Sequence, residues 1–259
     1  MTRDGRPHPR GRYAFGVDIG GSGIKGAPVN LRTGELAAER LRIPTPQPAT
    51  PDAVASVVAQ VVASFGLRKG IPIGVTFPAI VRHGVTESAA NVDASWIGTD
   101  IEDLLHRATG RRVLAVNDGD AAGYAEVEYG AARDVPGLVV VLTLGTGIGS
   151  ALVNDGRLVP NSELGHLEVD GFDAESRASD AARDRDGLDY ATWATERLQR
   201  YFSVVEALFS PDLFVVGGGV SKRHAEFLPL LKLNAPVVPA QLRNNAGIVG
   251  AARLAAEAP

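Results

Sequence analysis

The sequence predicts an α/β protein of two mixed-sheet domains with a cleft between them, and three observations carry that prediction. Two strand–glycine turn–strand signals stand far apart, one at Phe15–Gly26 and one at Leu142–Ser150. Between them, the apolar run Val113–Val116 leads into the pair Asn117-Asp118. The second signal repeats the pattern of the first, which points to two related α/β halves.

Composition narrows the class. The chain has 259 residues, enough for one large domain or two small ones. Its 45% hydrophobic and 22% charged content is that of an ordinary globular protein. With no cysteine, disulfides, thiolate metal sites and cysteine nucleophiles are excluded. No apolar run approaches the roughly 20 residues that a membrane-spanning helix needs, so no membrane partner is expected. Met1–Arg12 is rich in Arg, Pro and Gly without an apolar stretch after it, and reads as a disordered basic tail rather than a signal peptide. A cytoplasmic protein is expected. A net charge of −4 argues against a general nucleic-acid surface, although it leaves room for a local basic groove.

Taken in order, Tyr13–Ile19 and Ile24–Val29 read as strands joined by the first glycine turn, and Glu35–Ile43 extends to a third. Pro44-Thr45-Pro46-Gln47-Pro48 is a stiff connector, since proline suits neither a helix interior nor a central strand. Thr50-Pro51-Asp52 opens a helix with Val54, Val57, Val58, Val61 and Val62 as its apolar stripe. Ile71–Phe77 is a buried strand, Asp100–Thr109 a helix ending at Gly110, and Asp118–Tyr129 a further helix. Leu138–Leu144 and Ile148–Val153 form the second hairpin. A long helix (Asp189–Phe209), a strand (Leu213–Val216), a helix opened by Gly217-Gly218-Gly219, a short strand near Pro236–Pro239 and a terminal helix (Asn245–Ala256) complete the chain. The expected division is a tail at 1–12, a smaller domain of 13–118 plus 245–259, and a larger domain of 119–244.

The chemistry suggested is phosphoryl transfer. In Gly20-Gly21-Ser22-Gly23, glycine permits positive φ and close backbone approach, so successive N–H groups can cradle an anion. Lys25 adds positive charge, and Asp18 could hold Mg²⁺ directly or through water. A tight hairpin with no ligand would carry the same letters. Gly145-Thr146-Gly147-Ile148-Gly149 looks like a dinucleotide fingerprint but is followed by a strand, not a helix, so a nicotinamide cofactor does not fit. Gly145, Thr146 and Gly147 offer backbone N–H groups and a hydroxyl to a phosphate instead. Asp118 is the expected general base, able to take a proton from an acceptor hydroxyl. At a helix start the dipole favours its ionised form; position alone points to a simple cap, and beside the two glycine turns both roles together are expected. Glu163-Leu164-Gly165-His166-Leu167-Glu168 is a dense polar cluster in which a sugar site, a metal site and a plain surface loop stay open. Asn91 and Trp96 could add an amide and an apolar wall. Gly218 and Gly219 could present bare backbone to a phosphate at a helix N-terminus, or serve close helix–strand packing.

These ordered motifs resemble those of the ROK sugar kinases, within the actin-like, hexokinase-type ATPase superfamily. The resemblance runs from about Tyr13 to Ala256. It includes D-x-G-G-[ST] at Asp18–Ser22, Asn117-Asp118, L-G-T-G-I-G at Leu144–Gly149 and E-x-G-H at Glu163–His166. V-G-G-G-V at Val216–Val220 and the run from Asn245 to Ala252 complete it. It implies a two-domain actin-like/hexokinase (ribonuclease H-like) fold with a central interdomain cleft, and a homodimer. It also implies Asp118 as the catalytic aspartate, with Asn117, Glu163 and His166 as sugar ligands and Asn91 in a loop closing over the sugar. The second sugar-binding glutamate matches Glu175, with Glu168 competing for the role. Many members carry a structural zinc in a C-x-C-G-x-x-G-C segment after the E-x-G-H histidine. Here only Val169–Ala174 connects histidine and second glutamate, without cysteine, so no structural zinc is expected and packing must hold the site. That short form resembles the branch using inorganic polyphosphate. The implied activity is transfer of a phosphoryl group from polyphosphate, or ATP as a second donor, to the 6-hydroxyl of glucose with Mg²⁺. ATP-dependent phosphorylation of another hexose (mannose or an N-acyl amino sugar) and a catalytically silent sugar sensor are the rivals. The repressor branch needs an N-terminal helix-turn-helix, for which Met1–Arg12 is too short.

Overall fold

A computed structural model describes residues 11–88 and 92–258. In chain order the strands of the first half are β1 (Tyr13–Gly20), β2 (Gly23–Asn30), β3 (Leu41–Ile43) and β4 (Ile73–Phe77), with helix α1 (Pro51–Ala63) before β4. A small hairpin of β5 (Val81–Arg82) and β6 (Val85–Thr86) follows, then α2 (Ile101–Thr109), β7 (Val113–Asn117) and α3 (Asp118–Tyr129). The second half holds β8 (Leu138–Leu144), β9 (Ile148–Asn154), β10 (Arg157–Val159), β11 (Glu168–Val169) and β12 (Phe172–Asp173). Next come α4 (Glu175–Ala178), α5 (Asp180–Arg185), α6 (Tyr190–Trp193), α7 (Gln199–Phe209), β13 (Leu213–Gly217), β14 (Val237–Pro239) and α8 (Ala246–Glu257).

The chain divides into two compact units, 1–125 with 245–259 and 126–244. The division falls inside α3, whereas the sequence places it at that helix's first residue. Each unit is built on the same five-stranded plan. The first sheet runs β3-β2-β1-β4-β7 and the second β10-β9-β8-β13-β14. In both, the first three strands pair antiparallel and the rest parallel.

Strand alternation explains how the first unit packs. Phe15, Val17 and Ile19 of β1 point into a core with Val54, Val58 and Val61 of α1 and Leu105 of α2. The alternate positions Gly16 and Asp18 lie under α8, which packs on β1 and β4. This face is small by necessity: a Cβ at Gly16 would overlap the Ile248 carbonyl, and one at Gly74 the Ala251 carbonyl. In the second unit Val140, Leu142, Phe214 and Val216 join Trp193, Leu198, Phe202 and Val205 in one core, while Val139, Val141, Leu213 and Val215 build another on the opposite face.

Some elements differ from the sequence expectation. Of Glu35–Ile43 only Leu41–Ile43 forms a strand, because the residues before it pair no further than an isolated bridge from Leu36 to Val29. The long helix carries a π-helical turn, Ala194–Leu198, between α6 and α7. The Gly217–Gly219 run opens a 3₁₀ segment, Gly219–Glu226, whose backbone leaves helical geometry at Arg223, rather than a regular helix. Among the described residues no helix is long and apolar enough to cross a membrane.

Candidate active site

In each sheet the candidate residues gather at the carboxyl ends of the parallel strands, where open α/β sheets hold ligands. In the first unit these are the ends of β1 and β7. Asp18 on β1 pairs in register with Lys25 on β2 and Thr76 on β4. Its Oδ1 accepts from the Thr76 hydroxyl at 2.9 Å and its Oδ2 faces the Lys25 ammonium at 3.2 Å. The carboxylate is therefore held by two groups, one on each oxygen.

The turn itself is Gly21-Ser22, flanked by Gly20 and Gly23. None of Gly20, Gly21, Gly23, Gly145 and Gly147 adopts a positive φ, so left-handed backbone is not what glycine supplies at these turns. Clearance is. A Cβ at Gly21 or Gly145 would meet nothing within 4 Å, which leaves open space against bare backbone. At Gly23 a Cβ would stand 2.6 Å from Nε of Arg42. That guanidinium donates to the Ser22 carbonyl at 2.6 Å, and the Thr45 hydroxyl donates to the Gly20 carbonyl at 2.5 Å. Arg42 and Thr45, which the sequence reading missed, thus tie down carbonyl oxygens of the turn from the β3 segment.

At the end of β7, Asn117 is buried and Asp118 exposed. Asn117 Oδ1 accepts from the Asp120 N–H at 3.1 Å, and its Nδ2 donates to the Ala79 carbonyl at 3.2 Å. Asn117 is therefore the cap of α3. The capping role that the sequence left open for Asp118 falls to its neighbour. Asp118 occupies the first helical position, where its Oδ1 accepts from the Gly119 N–H at 2.9 Å. Asn91 lies outside the described residues. Trp96 is a core residue rather than a wall: it is fully buried, its ring lies tilted with its centroid 4.3 Å from that of Phe77, and it donates from Nε1 to the Ala49 carbonyl at 2.8 Å.

In the second unit the turn Gly145-Thr146-Gly147 links β8 to β9, with Thr146 exposed. Its Gly145 carbonyl accepts from the Ala181 N–H at 3.0 Å. Glu175 reaches this turn: Oε2 accepts from the Ile148 N–H at 3.0 Å, and a Cβ at Gly147 would overlap that same oxygen. At the end of β13, Gly218 has φ 85° and a Cβ there would overlap the Leu144 carbonyl, so this glycine is required by close packing. Gly219 has open space around its missing Cβ. Arg223 beyond it is occupied by Glu226 at 2.9 Å and lies over the Tyr190 ring.

The E-x-G-H residues join Glu175. Burial pushes the half-buried Glu163 carboxyl up; nearby His166 lowers it and Glu175 raises it further. His166 is pushed up, first by a hydrogen bond to Asp173, then by the charges of Glu175, Asp173 and Glu163, with burial opposing. His166 Nδ1 stands 2.9 Å from Asp173 Oδ2. The sequence reading expected packing to hold this region, and Leu164 and Ala174 are indeed buried in the second unit's core with Leu167 and Val169 against it; hydrogen bonds add to that packing. Val169–Ala174 contains a β-hairpin, β11–β12, turned at Asp170 (φ 54°) and Gly171 (φ 81°). Both turn residues are left-handed, as a tight Asp-Gly hairpin requires, and that dipeptide was the signal for it. Arg200 grips Asp170 with two nitrogens, Nε at 2.9 Å and Nη2 at 2.8 Å. Glu168 pairs in register with Asp173 across the hairpin. Among the described residues His166, Asp173 and Glu175 bring one donor atom each within 4.8 Å of one another, whereas Glu168 does not join them. Hydrogen bonds link them: Asp173 meets His166 Nδ1 and the Glu175 N–H, and Glu175 Oε2 meets the Ile148 N–H, so the group is a connected polar network.

The sequence model of the ROK family matches residues 14–183, well over half of the chain. The polyphosphate glucokinase of Mycobacterium tuberculosis (strain CDC 1551 / Oshkosh) is 52% identical over 93% of this chain and 90% of its own length. Among solved structures, the inorganic polyphosphate/ATP-glucomannokinase of Arthrobacter sp. strain KM is 59% identical, with a TM-score of 0.89 over 95% of this chain and 99% of that one. A ROK family glucokinase from Streptomyces griseus, solved with glucose and AMPPNP, shares the fold with a TM-score of 0.77 at 24% identity, over 95% of this chain and 100% of its own. The fold is thus the actin-like/hexokinase type, and the chain belongs to the ROK family.

Proposed function

We propose that this ROK protein transfers a phosphoryl group from inorganic polyphosphate, with ATP as a second donor, to the 6-hydroxyl of glucose. The observation that carries the reading is the 59% identity, over nearly the whole of both chains, to a polyphosphate/ATP-glucomannokinase. That relative's name also favours mannose as a second acceptor.

Asp118 takes the proton of the 6-hydroxyl as its oxygen forms a bond to the terminal phosphorus. The bond from that phosphorus to the rest of the donor breaks, and the donor leaves one phosphate shorter. The exposed carboxylate at the first position of α3, with the cap supplied by Asn117, supports this role. Glu163, His166 and Glu175 are the sugar ligands. Of the two competing glutamates, Glu175 is favoured because it clusters with His166 and Glu168 does not. Asn117 Nδ2 has one proton beyond the one it gives the Ala79 carbonyl, while its Oδ1 accepts for the cap, which fits a ligand role shared with positioning.

The turns at Gly20–Gly23 and Gly145–Gly147, with Lys25 and Gly219, receive the donor phosphates. The open space at Gly21, Gly145 and Gly219 supports that; Gly218 serves by packing. Mg²⁺ fits Asp18, a lone carboxylate beside Lys25, because this metal takes few protein ligands and keeps waters and phosphate oxygens. When bound, it would neutralise charge on the donor phosphates. A homodimer rests on the resemblance; a cytoplasmic site of action, read from composition, and the absence of a structural zinc, read from the missing cysteines, belong to the same reading.

The direct test is glucose 6-phosphate production by purified protein, with polyphosphate and ATP supplied separately and glucose, mannose and N-acetylmannosamine as acceptors. No transfer to glucose from either donor, by protein that still binds glucose, would leave the sugar-sensor reading standing instead.

A further inference from the structure

We propose that Asp173 is a positioning residue for sugar binding: its single carboxylate fixes the His166 ring and the Glu175 backbone together, and so decides which nitrogen of His166 meets the hexose. The proposal rests on the sugar-site reading given above.

The geometry is specific. Asp173 Oδ2 is 2.9 Å from His166 Nδ1, and Asp173 Oδ1 accepts from the Glu175 N–H at 3.1 Å. An ionised carboxylate only accepts, so Nδ1 carries the hydrogen and Nε2 is the nitrogen left for a ligand. The Ser176 hydroxyl donates to the Asp173 carbonyl at 2.6 Å, which holds the same residue from its backbone side. The network does not stop there. Glu175 passes on to the Ile148 N–H at 3.0 Å, the first residue after the second phosphate turn. One run of hydrogen bonds therefore joins the imidazole, through Asp173 and Glu175, to the backbone at Gly147 and Ile148.

Asp173 is delivered by the β11–β12 hairpin, whose turn is clamped from α7 by Arg200 on Asp170. Arg177 lies 3.6 Å over the ring of Phe172, the residue before Asp173 on β12. The charged groups facing His166 are Asp173, Glu175 and Glu163, all acidic, and of these only Asp173 bonds the ring directly. Losing it changes both tautomer control and proton affinity. Losing either of the others changes only the field.

The test compares Asp173→Asn and Asp173→Ala with the unaltered enzyme by glucose calorimetry without donor, steady-state kinetics, and NMR titration of the His166 ring. Asp173→Asn keeps the shape and an oxygen for the Glu175 N–H, which guards against simple unfolding. Loss of a hydrogen bond to a charged partner predicts glucose affinity about tenfold weaker. At saturating glucose kcat should stay close to normal, since the lost interaction is a binding one. The His166 midpoint should move to lower pH in both variants. Arg200→Ala, which loosens the hairpin turn without touching the His166 bond, should leave that midpoint in place.

An unmoved His166 midpoint or unaltered glucose affinity in folded Asp173→Asn protein would overturn the proposal. So would an Arg200→Ala variant that reproduces both effects, because hairpin rigidity would then suffice. If the unaltered enzyme bound no glucose at all, the sugar-site reading would fail, and the His166 titration would still report on the Asp173 pairing by itself.

Discussion

At the scale of single residues, the division of labour between Asn117 and Asp118 matters most. A helix needs one side chain to satisfy the N–H groups of its first turn. Because Asn117 does so, the Asp118 carboxylate is left at the surface, where its Oδ1 accepts from the Gly119 N–H. Asp118→Asn should lower kcat by about 100-fold or more while glucose still binds, as loss of a positioned base predicts. Stopped-assay kinetics beside glucose calorimetry would check both halves. Glu163 gives a second prediction, with a pH signature. Burial raises its pKa, so it becomes protonated at higher pH than an ordinary glutamate. Sugar affinity that depends on its ionised form should fall on the acid side at a correspondingly higher pH, and Glu163→Gln should abolish that limb. The sign for stability is opposite. A folded-state pKa above the unfolded value means a contribution that is present at low pH and lost as pH rises through the folded pKa. At neutral pH the charge opposes folding, so Glu163→Gln should melt no lower than the unaltered protein while binding glucose more weakly.

At the scale of elements, glycine has two separable duties, and substitution should separate them. Gly16 lets α8 lie directly on β1, and a Cβ would meet the Ile248 carbonyl, a backbone atom that cannot turn aside. Gly16→Ala should cost about 1–3 kcal/mol, read from the urea midpoint. Gly21 has open space, so Gly21→Ala should leave stability within about 0.5 kcal/mol and instead raise KM for the phosphate donor. The same contrast explains what could be read in advance. Near-continuous apolar runs marked β1, β4, β8 and β13 because each is buried on both faces, and Thr50-Pro51 marked α1 with its valine stripe. Motif letters supplied the candidates Asp18, Asp118, Glu163, His166 and Glu175. They did not reveal that the turn glycines supply clearance, since both uses of glycine are written with one letter. Arg42 and Thr45 were missed because their partners are main-chain carbonyls of a distant turn, and such bonds leave no spacing in the sequence. Asp173 was missed for a different reason: the Asp170-Gly171 turn that delivers it sits in a segment too short to show strand alternation.

At the scale of the whole molecule, the two units repeat one sheet plan but are assembled from the chain differently. The second is continuous, whereas the first needs both the opening residues and the last helix. That helix carries no candidate catalytic group, yet it buries Ile248, Val249, Ala251 and Ala252 and covers the glycine-lined face of β1 and β4. It is tied in further by the Tyr124 hydroxyl, which donates to Glu257 at 2.6 Å, and by the Arg253–Glu257 ion pair at 2.7 Å. Without it the first sheet would expose one apolar face, and the Gly16 and Gly74 surface would have nothing to replace the lost packing. The first unit should therefore be unable to complete its core until synthesis has passed through the second. A fragment of residues 11–125 alone should aggregate or stay unfolded. The same fragment joined by a flexible linker to residues 245–258 should be soluble and unfold cooperatively. Circular dichroism melts and limited proteolysis of the two fragments decide it: a cooperative melt from 11–125 by itself would mean that α8 merely decorates a sheet already complete.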